Sequence, residues 1–322
     1  MRITHDIHTH STLSHCCYDP EASIANYVRR AAELGHKVFG ISNHIWDEKV
    51  PGASRWYKNQ TISYGLEARD SVPADTCGMK VLIGVETEYF AASDTLGMLA
   101  ETAKQFDYVL VPHSHIHMRG DVMPDTADVA ALKEIFRERI AKALPELSAD
   151  QVRRMANSLG YTDYDALVAS GIFFPPTVDF ERYCAEAMLS SFSALMANSE
   201  FIKLAAAVPV SIAHPFDPCG LTGETRRRVI NLLPDDKLTE CFRSAKALGV
   251  SIEINTGAFK FSENDWAGEP LIRVMRLAKA AGCKFTFGTD SHSLAGLDKI
   301  RRADDLSDII GITEEDLAEF VK

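Results

Sequence analysis

Two patterns of hydrophobic and polar positions alternate along this chain. Short runs rich in β-branched and aromatic residues fall at about 3–8, 37–43, 80–85, 108–111, 208–213, 250–254 and 284–288. Each is short and nearly continuously apolar, as a strand buried on both faces of a parallel sheet should be. Between most of these runs the apolar residues return at helical spacing. In the first such stretch Ile24, Tyr27, Val28, Ala31 and Leu34 share a face. Asp19 is its expected N-cap, Pro20 suits the first helical position and Gly35 the C-terminal cap. Stretches 238–248 and 270–281 repeat the pattern, with Gly249 and Gly282 just before the next strand. Thr313, Glu314, Glu315 and Asp316 resemble a capping box and predict a final helix.

Regular strand–helix alternation implies parallel pairing and an α/β architecture. The interval between the fourth and fifth strands breaks the rhythm. It holds helical patterns near 127–144, 149–159 and 180–203, interrupted by Phe173, Phe174, Pro175 and Pro176. The expected organisation is one barrel domain over 1–322 with a helical insertion at 120–205. That insertion would pack on the barrel mouth or act as a substrate lid.

Composition narrows the class. With 46% hydrophobic and 25% charged residues the chain can build a sizeable core. No apolar run approaches the roughly 20 residues of a membrane helix. His5, Asp6 and His8 follow Arg2 too closely for a secretory apolar region, so a cytoplasmic location and no membrane partner are expected. A net charge of −11 argues against long nucleic acid as a partner. The seven cysteines include no CxxC pair, which argues against a disulfide framework or zinc ribbon. Cys16 and Cys17 follow His15 and could line a site, but cysteine ligation is not expected.

The chemistry sits where the strands stop. The first run ends in His8 and His10, which alternate onto one face of a strand; His15 follows in a loop. The second ends in His44, the third in Glu86, and the fourth in His113, His115 and His117. The fifth ends in His214, the sixth in Asn255, Thr256 and Gly257, and the seventh in Asp290 and His292. Any one histidine of this kind is ordinarily a hydrogen-bonded strand end. Together, so many buried imidazoles without a shared cation would leave costly unsatisfied groups. Ligands at strand C-termini fit a (β/α)7 barrel better than an open sheet. The first and last runs, 3–10 and 285–292, should then be neighbours.

These motifs, from Asp6-Ile7-His8-Thr9-His10 through Ser42-Asn43-His44, Gly84-Val85-Glu86 and Ala213-His214-Pro215 to Gly288-Thr289-Asp290-Ser291-His292, resemble the PHP (polymerase and histidinol phosphatase) superfamily. The HxHSxxxH opening and the Phe106-Asp107-Tyr108-Val109 approach to the fourth motif resemble stand-alone histidinol-phosphatase-like members. The resemblance implies a distorted (β/α)7 barrel, two or three divalent ions and phosphoester hydrolysis. It implies that His8, His10, Glu86 and Asp290 hold one ion and His15, His44 and His292 a second. Glu86 would bridge to a third, held with His115 and His214. Among the alternating histidines His115 is preferred and His113 stands second. Catalytic roles fall to Glu86, Asp290 and His292.

Nitrogen and oxygen donors suit Zn, Mn or Fe. The expected reaction is attack by a metal-activated hydroxide on a small phosphomonoester. A nucleotide or nucleic-acid phosphodiesterase is the alternative, and a non-catalytic metal-stabilised module ranks last. Amidohydrolase-type barrels share the HxH opening but need a bridging lysine at a strand end, and no strand end here carries one. Candidate substrate contacts are Arg55, Arg119, Asn255 and Lys260. Asp6 and Ser42 are candidates to orient the imidazoles. Trp46, Trp56 and Tyr57 would line a pocket or cover the barrel top.

Overall fold

A computed structural model describes residues 1–116, 178–259 and 268–322. Strands β1 (His5–Asp6), β2 (Val38–Ile41) and β3 (Lys80–Ile83) form one parallel sheet in that order. A second sheet runs β10 (Phe285–Gly288), β9 (Ser251–Asn255), β8 (Val210–Ile212), β7 (Val109–Val111) and β4 (Val85–Glu86). Only Gly84 separates β3 from β4, and the pair works as one strand. The Gly84 N–H donates to the Ile41 carbonyl at 2.9 Å, while the Asp107 N–H reaches the Ile83 carbonyl at 2.8 Å. On the other side β1 meets β10: Ile7 N–H donates to Phe287 O (3.1 Å), Asp290 N–H to His8 O (2.8 Å) and His10 N–H to Ser291 O (2.8 Å). Backbone hydrogen bonds therefore run round the whole ring of parallel strands. This leaves no open edge.

Tyr108 explains the break at Gly84. Its buried ring lies so close that a Cβ on Gly84 would stand 2.4 Å away, and its hydroxyl would be 2.3 Å from a Cβ on Gly40. That hydroxyl donates to the Ile7 carbonyl at 2.6 Å, tying the fourth strand to the first across the interior. The remaining core is aliphatic and aromatic, filling the space between strands and helices.

Helices α1 (Ile24–Glu33), α2 (Ile62–Asp70) and α3 (Ala100–Ala103) join the first strands, with a hairpin of β5 (Tyr89–Phe90) and β6 (Thr95–Leu96) beyond β4. Helices α4 (Val178–Ala197) and α5 (Ser199–Ala207) precede β8, α6 (Gly223–Asn231) and α7 (Asp235–Ala247) precede β9, and α8 (Pro270–Ala280) precedes β10. Helix α9 is Ala303–Ile310. Gly35, Gly249 and Gly282 all take the left-handed φ that ends a helix. Among the described residues no helix is long and apolar enough to cross a membrane.

Three local expectations are corrected. Helix α1 starts later than Asp19-Pro20 implied: Ser23 is its N-cap, accepting from the Asn26 N–H at 3.3 Å. Asp19 instead accepts from the Glu21 and Leu294 N–H groups, linking this loop to the last strand end. The pattern at 180–203 is two helices, because Asn198 stops one and caps the next through the N–H groups of Glu200 and Phe201. The Thr313–Asp316 capping box forms, but it closes only a 3₁₀ turn, Glu314–Asp316. The helical patterns at 127–144 and 149–159 lie outside the described residues.

Candidate metal centre

The strand C-termini converge as parallel pairing requires. His8 and His10 extend β1, and extended pairing of Thr9 with Ser291 and of His44 with Glu86 carries β10, β2 and β4 to the same level. His8 Nε2 stands 3.2 Å from His10 Nε2, and Glu86 Oε2 lies 3.2 Å from both. Asp290 Oδ1 is 3.5 Å from His8 Nε2 and 3.2 Å from His10 Nε2. Ligands bonded at about 2.0–2.1 Å to one ion stand roughly 3 Å apart at their closest. These five separations match that spacing, so the residues present fit a cation between them. Glu86 also reaches His214 Nε2 through Oε1 (3.2 Å) and His44 Nδ1 through Oε2 (3.3 Å), which makes it the shared carboxylate.

The electrostatics agree. Burial opposes charge on the His8 imidazole, yet Glu253, Glu86 and Asp290 lift it to about 10. His10, His115 and His214 are likewise raised against burial by neighbouring acidic and thiol groups. Burial would raise Glu86 and Asp290, but the surrounding imidazoles hold both well below the usual carboxylate range. The cluster thus draws positive charge, which a divalent ion would supply in place of protons. Two members bend the backbone to get there. His214 and Asp290 have φ of 31° and 51°, a conformation that costs a non-glycine residue about 1–3 kcal/mol and concentrates at functional sites.

The fourth-strand histidines separate cleanly. His115 faces the cluster, its ring stacked at 4.9 Å on His214 and its Nδ1 2.6 Å from Glu88 Oε2. His113 sits in the core between Phe192 and Phe216, accepting the Phe216 N–H through Nε2. His117 lies outside the described residues. The rings of His44 and His292 each stack on His10 with centroids 4.4 Å apart.

His15 is not brought in. Its imidazole is exposed and stands edge-on to Tyr64 at 6.2 Å, while its N–H is held by Gln60. Cys16 takes the inward position: one ligand atom each from Cys16, His10, His44 and His292 lie within 4.8 Å of one another. A second thiol, Cys219, groups in the same way with His115 and His214.

The orienting groups also differ from expectation. Asp6 accepts from the His8 and Thr289 N–H groups and the Thr289 hydroxyl, and Ser42 bonds the Thr9 backbone, so neither touches an imidazole ring. The carboxylates that do so are Glu253 and Glu88. Glu253 takes His8 Nδ1 at 2.8 Å and the His214 N–H at 2.6 Å. Glu88 takes His115 Nδ1 and the Tyr57 hydroxyl, which also lies 3.2 Å from His44 Nδ1. Glu253 lies inside the run Ser251-Ile252-Glu253-Ile254-Asn255; an acidic residue flanked by two isoleucines in a buried strand was the readable signal.

Of the candidate substrate contacts, Arg55 is exposed. Asn255 spends its side-chain oxygen on the N–H groups of Gly257 and Ala258, shaping the turn after β9. Arg119 and Lys260 lie outside the described residues. Trp46 and Tyr57 are buried together with Val50 and Phe90, and Trp56 stands edge-on to His44 at 4.8 Å.

The chain matches the PHP domain family model over residues 6–196. It is similar in structure to a histidinol phosphate phosphatase (HisK) from Lactococcus lactis, at 16% identity and a TM-score of 0.58, covering 96% of this chain and 94% of that one. It is also similar to a candidate histidinol phosphatase (HisK) from Listeria monocytogenes, at 14% identity and a TM-score of 0.49, covering 91% and 97%. No curated protein sequence matches it. With the family model covering more than half of its length, and strand ends that gather His8, His10, Glu86 and Asp290, the chain belongs to the PHP domain family and is a metal-dependent hydrolase.

Proposed function

We propose that this protein hydrolyses a small phosphomonoester at a centre of two or three divalent ions. The observation that carries the proposal is that the His8 and His10 Nε2 atoms stand 3.2 Å apart and each lies 3.2–3.5 Å from a Glu86 and an Asp290 carboxylate oxygen, the spacing expected around one ion. Glu86 would bridge toward His214 and His115, with His44 and His292 serving a further position. Bound divalent ions supply an acidified water and neutralise phosphate oxygens. The protein's own part is positional. Glu253 fixes the His8 ring by accepting from Nδ1, which turns Nε2 toward the cluster. Glu88 does the same for His115. Tyr57, Trp46 and Phe90 close one flank with apolar surface and keep bulk water from the His44 side.

The Lactococcus protein was crystallised with zinc, L-histidinol and phosphate. An amino alcohol phosphate of that kind is therefore the first substrate to try, beside p-nitrophenyl phosphate as a generic monoester. The test measures metal content and phosphate release on one preparation. Two to three ions per chain and hydrolysis of a monoester are expected. Asp290→Ala should lose an ion and lower turnover by more than about 100-fold, beyond the loss usual for an outer partner. Full metal loading without cleavage of any monoester would sink the catalytic proposal.

A further inference from the structure

We propose that Cys16 and Cys219 are metal ligands, so that two ion positions of this centre carry a thiolate. The inference deepens the reading above and rests on it. The first position joins Cys16 to His44 and His292 around the His10 ring, with ligand atoms within 4.8 Å of one another. His10 Nδ1 is buried and has no hydrogen-bond partner among the described residues, so this side of the ring also asks for a ligand-bearing neighbour.

The loop explains why the sulfur and not the neighbouring imidazole points inward. The Ser14 N–H donates to the Ser11 carbonyl at 2.9 Å and the Cys17 N–H to the Ser14 carbonyl at 3.1 Å, which winds this loop into two consecutive tight turns. Gln60 Oε1 accepts from both the Ser14 hydroxyl and the His15 N–H. The Cys17 thiol donates to the His292 carbonyl at 3.3 Å, tying the loop to the last strand end. With residues 14, 15 and 17 pinned, His15 is turned out over Tyr64 and Cys16 faces His10, His44 and His292.

The second position stands on separate evidence. Cys219 Sγ lies 3.6 Å from His214 Nδ1 and groups with His214 and His115. Its N–H bonds the carbonyls of Ser114 and Asp217, at 3.3 and 2.8 Å, so the turn that carries it is laced to the residue before His115.

The donor sets then differ in kind. His8, His10, Glu86 and Asp290 offer nitrogen and oxygen, whereas Cys16 and Cys219 add sulfur to the positions they join. Thiolate favours Zn, Fe or Co over Mn or Mg. The remaining cysteines provide internal references, since Cys77 is exposed while Cys184, Cys241 and Cys283 are buried in the core.

The test loads the full chain with cobalt(II) and reads three things. Metal analysis counts the ions. Near-ultraviolet absorption reports thiolate-to-cobalt charge transfer. Iodoacetamide labelling with peptide mass spectrometry reports which cysteines the ion shields. A charge-transfer band is expected in the wild type, reduced to about half in Cys16→Ser or Cys219→Ser and lost in the double variant. Cobalt should shield Cys16 and Cys219 while Cys77 reacts with or without it, and His15→Ala should keep both band and metal content. The labelling uses wild-type protein, so it decides even if a serine variant folds poorly. Full cobalt loading with no band, with Cys16 and Cys219 labelled as fast as Cys77, overturns the inference and leaves the metal centre standing. Loss of an ion in His15→Ala but not in Cys16→Ser overturns the Cys16 assignment. No cobalt uptake at all overturns the metal-centre reading along with it.

Discussion

Two sets of buried histidines lie in one molecule and behave oppositely. His5, His36 and His113 are pushed down, to about 3, about 4 and about 3, by burial first and by a neighbouring imidazole or guanidinium group second. His8, His10, His115 and His214 are equally buried yet raised, His8 to about 10. His5 and His8 even belong to the same stretch of chain. The first set meets apolar rings or a backbone donor: His36 stacks on Phe39, His113 lies against Phe192 and Phe216, and His5 accepts the Phe287 N–H. The second set meets carboxylates and thiols. Burial therefore does not distinguish a ligand from a core residue. An anionic group placed beside the ring does.

The comparison breaks most severely if the carboxylate behind His8 is neutralised. Glu253→Gln keeps the shape but removes the charge that orients and polarises the ring. We expect metal affinity to fall by about 10–100-fold, as for other outer-shell partners. Competition with a fluorescent zinc chelator reads this directly, and an unchanged dissociation constant would show that Glu253 only fills space.

A smaller effect should come from Gly288, which leaves room for that carboxylate. A Cβ there would stand 2.1 Å from Glu253 Oε1 and 2.4 Å from the His8 Cβ. Gly288→Ala should therefore displace the Glu253–His8 pair and cost about 1–3 kcal/mol of stability, the usual range for overpacking. Denaturant unfolding of metal-free protein measures it. Wild-type stability in the variant would mean that the strand yields freely.

The mildest change concerns the neutral set. His5 accepts a hydrogen bond through Nε2, so the native state excludes its proton down to about pH 3, whereas the unfolded chain binds one below about 6.5. Above 6.5 the group contributes nothing to the pH slope. As pH falls through that window, the unfolded state is favoured. His5→Gln keeps an acceptor but cannot titrate, so its acid destabilisation should be shallower by about 1.4 kcal/mol per pH unit. Asp6 acts with the opposite sign, because burial raises it to about 7 and the native state keeps its proton there. The informative quantity is thus the difference between the two proteins, and parallel stability–pH curves would contradict the argument.

Much of the architecture was legible because buried parallel strands write themselves as short apolar runs. All seven runs contain a strand of the ring, with the third broken at Gly84. Boundaries were less legible. Asp19-Pro20 has the chemistry of a helix start, but Asp19 is occupied by the backbone of the last strand end and Ser23 caps instead. At the site, residues ending strands could be placed because a parallel ring carries all its C-termini to one level. Residues in loops could not. His15 and Cys16 are adjacent, and nothing in their order tells which turns inward until Gln60 and Cys17 pin the turn. Glu88 and Glu253 escaped notice because their role is defined by partners on other strands.

By itself, then, the sequence determined the α/β alternation, the ring order and the strand-end residues His8, His10, His44, Glu86, His214, Asp290 and His292. These follow from local periodicity and from motifs written contiguously along the chain. Only the tertiary structure decided between His113 and His115, turned His15 out and Cys16 in, and set Glu253 behind His8. The physical reason is that those outcomes depend on side-chain direction and on charges contributed from distant strands, which become neighbours only when the ring closes.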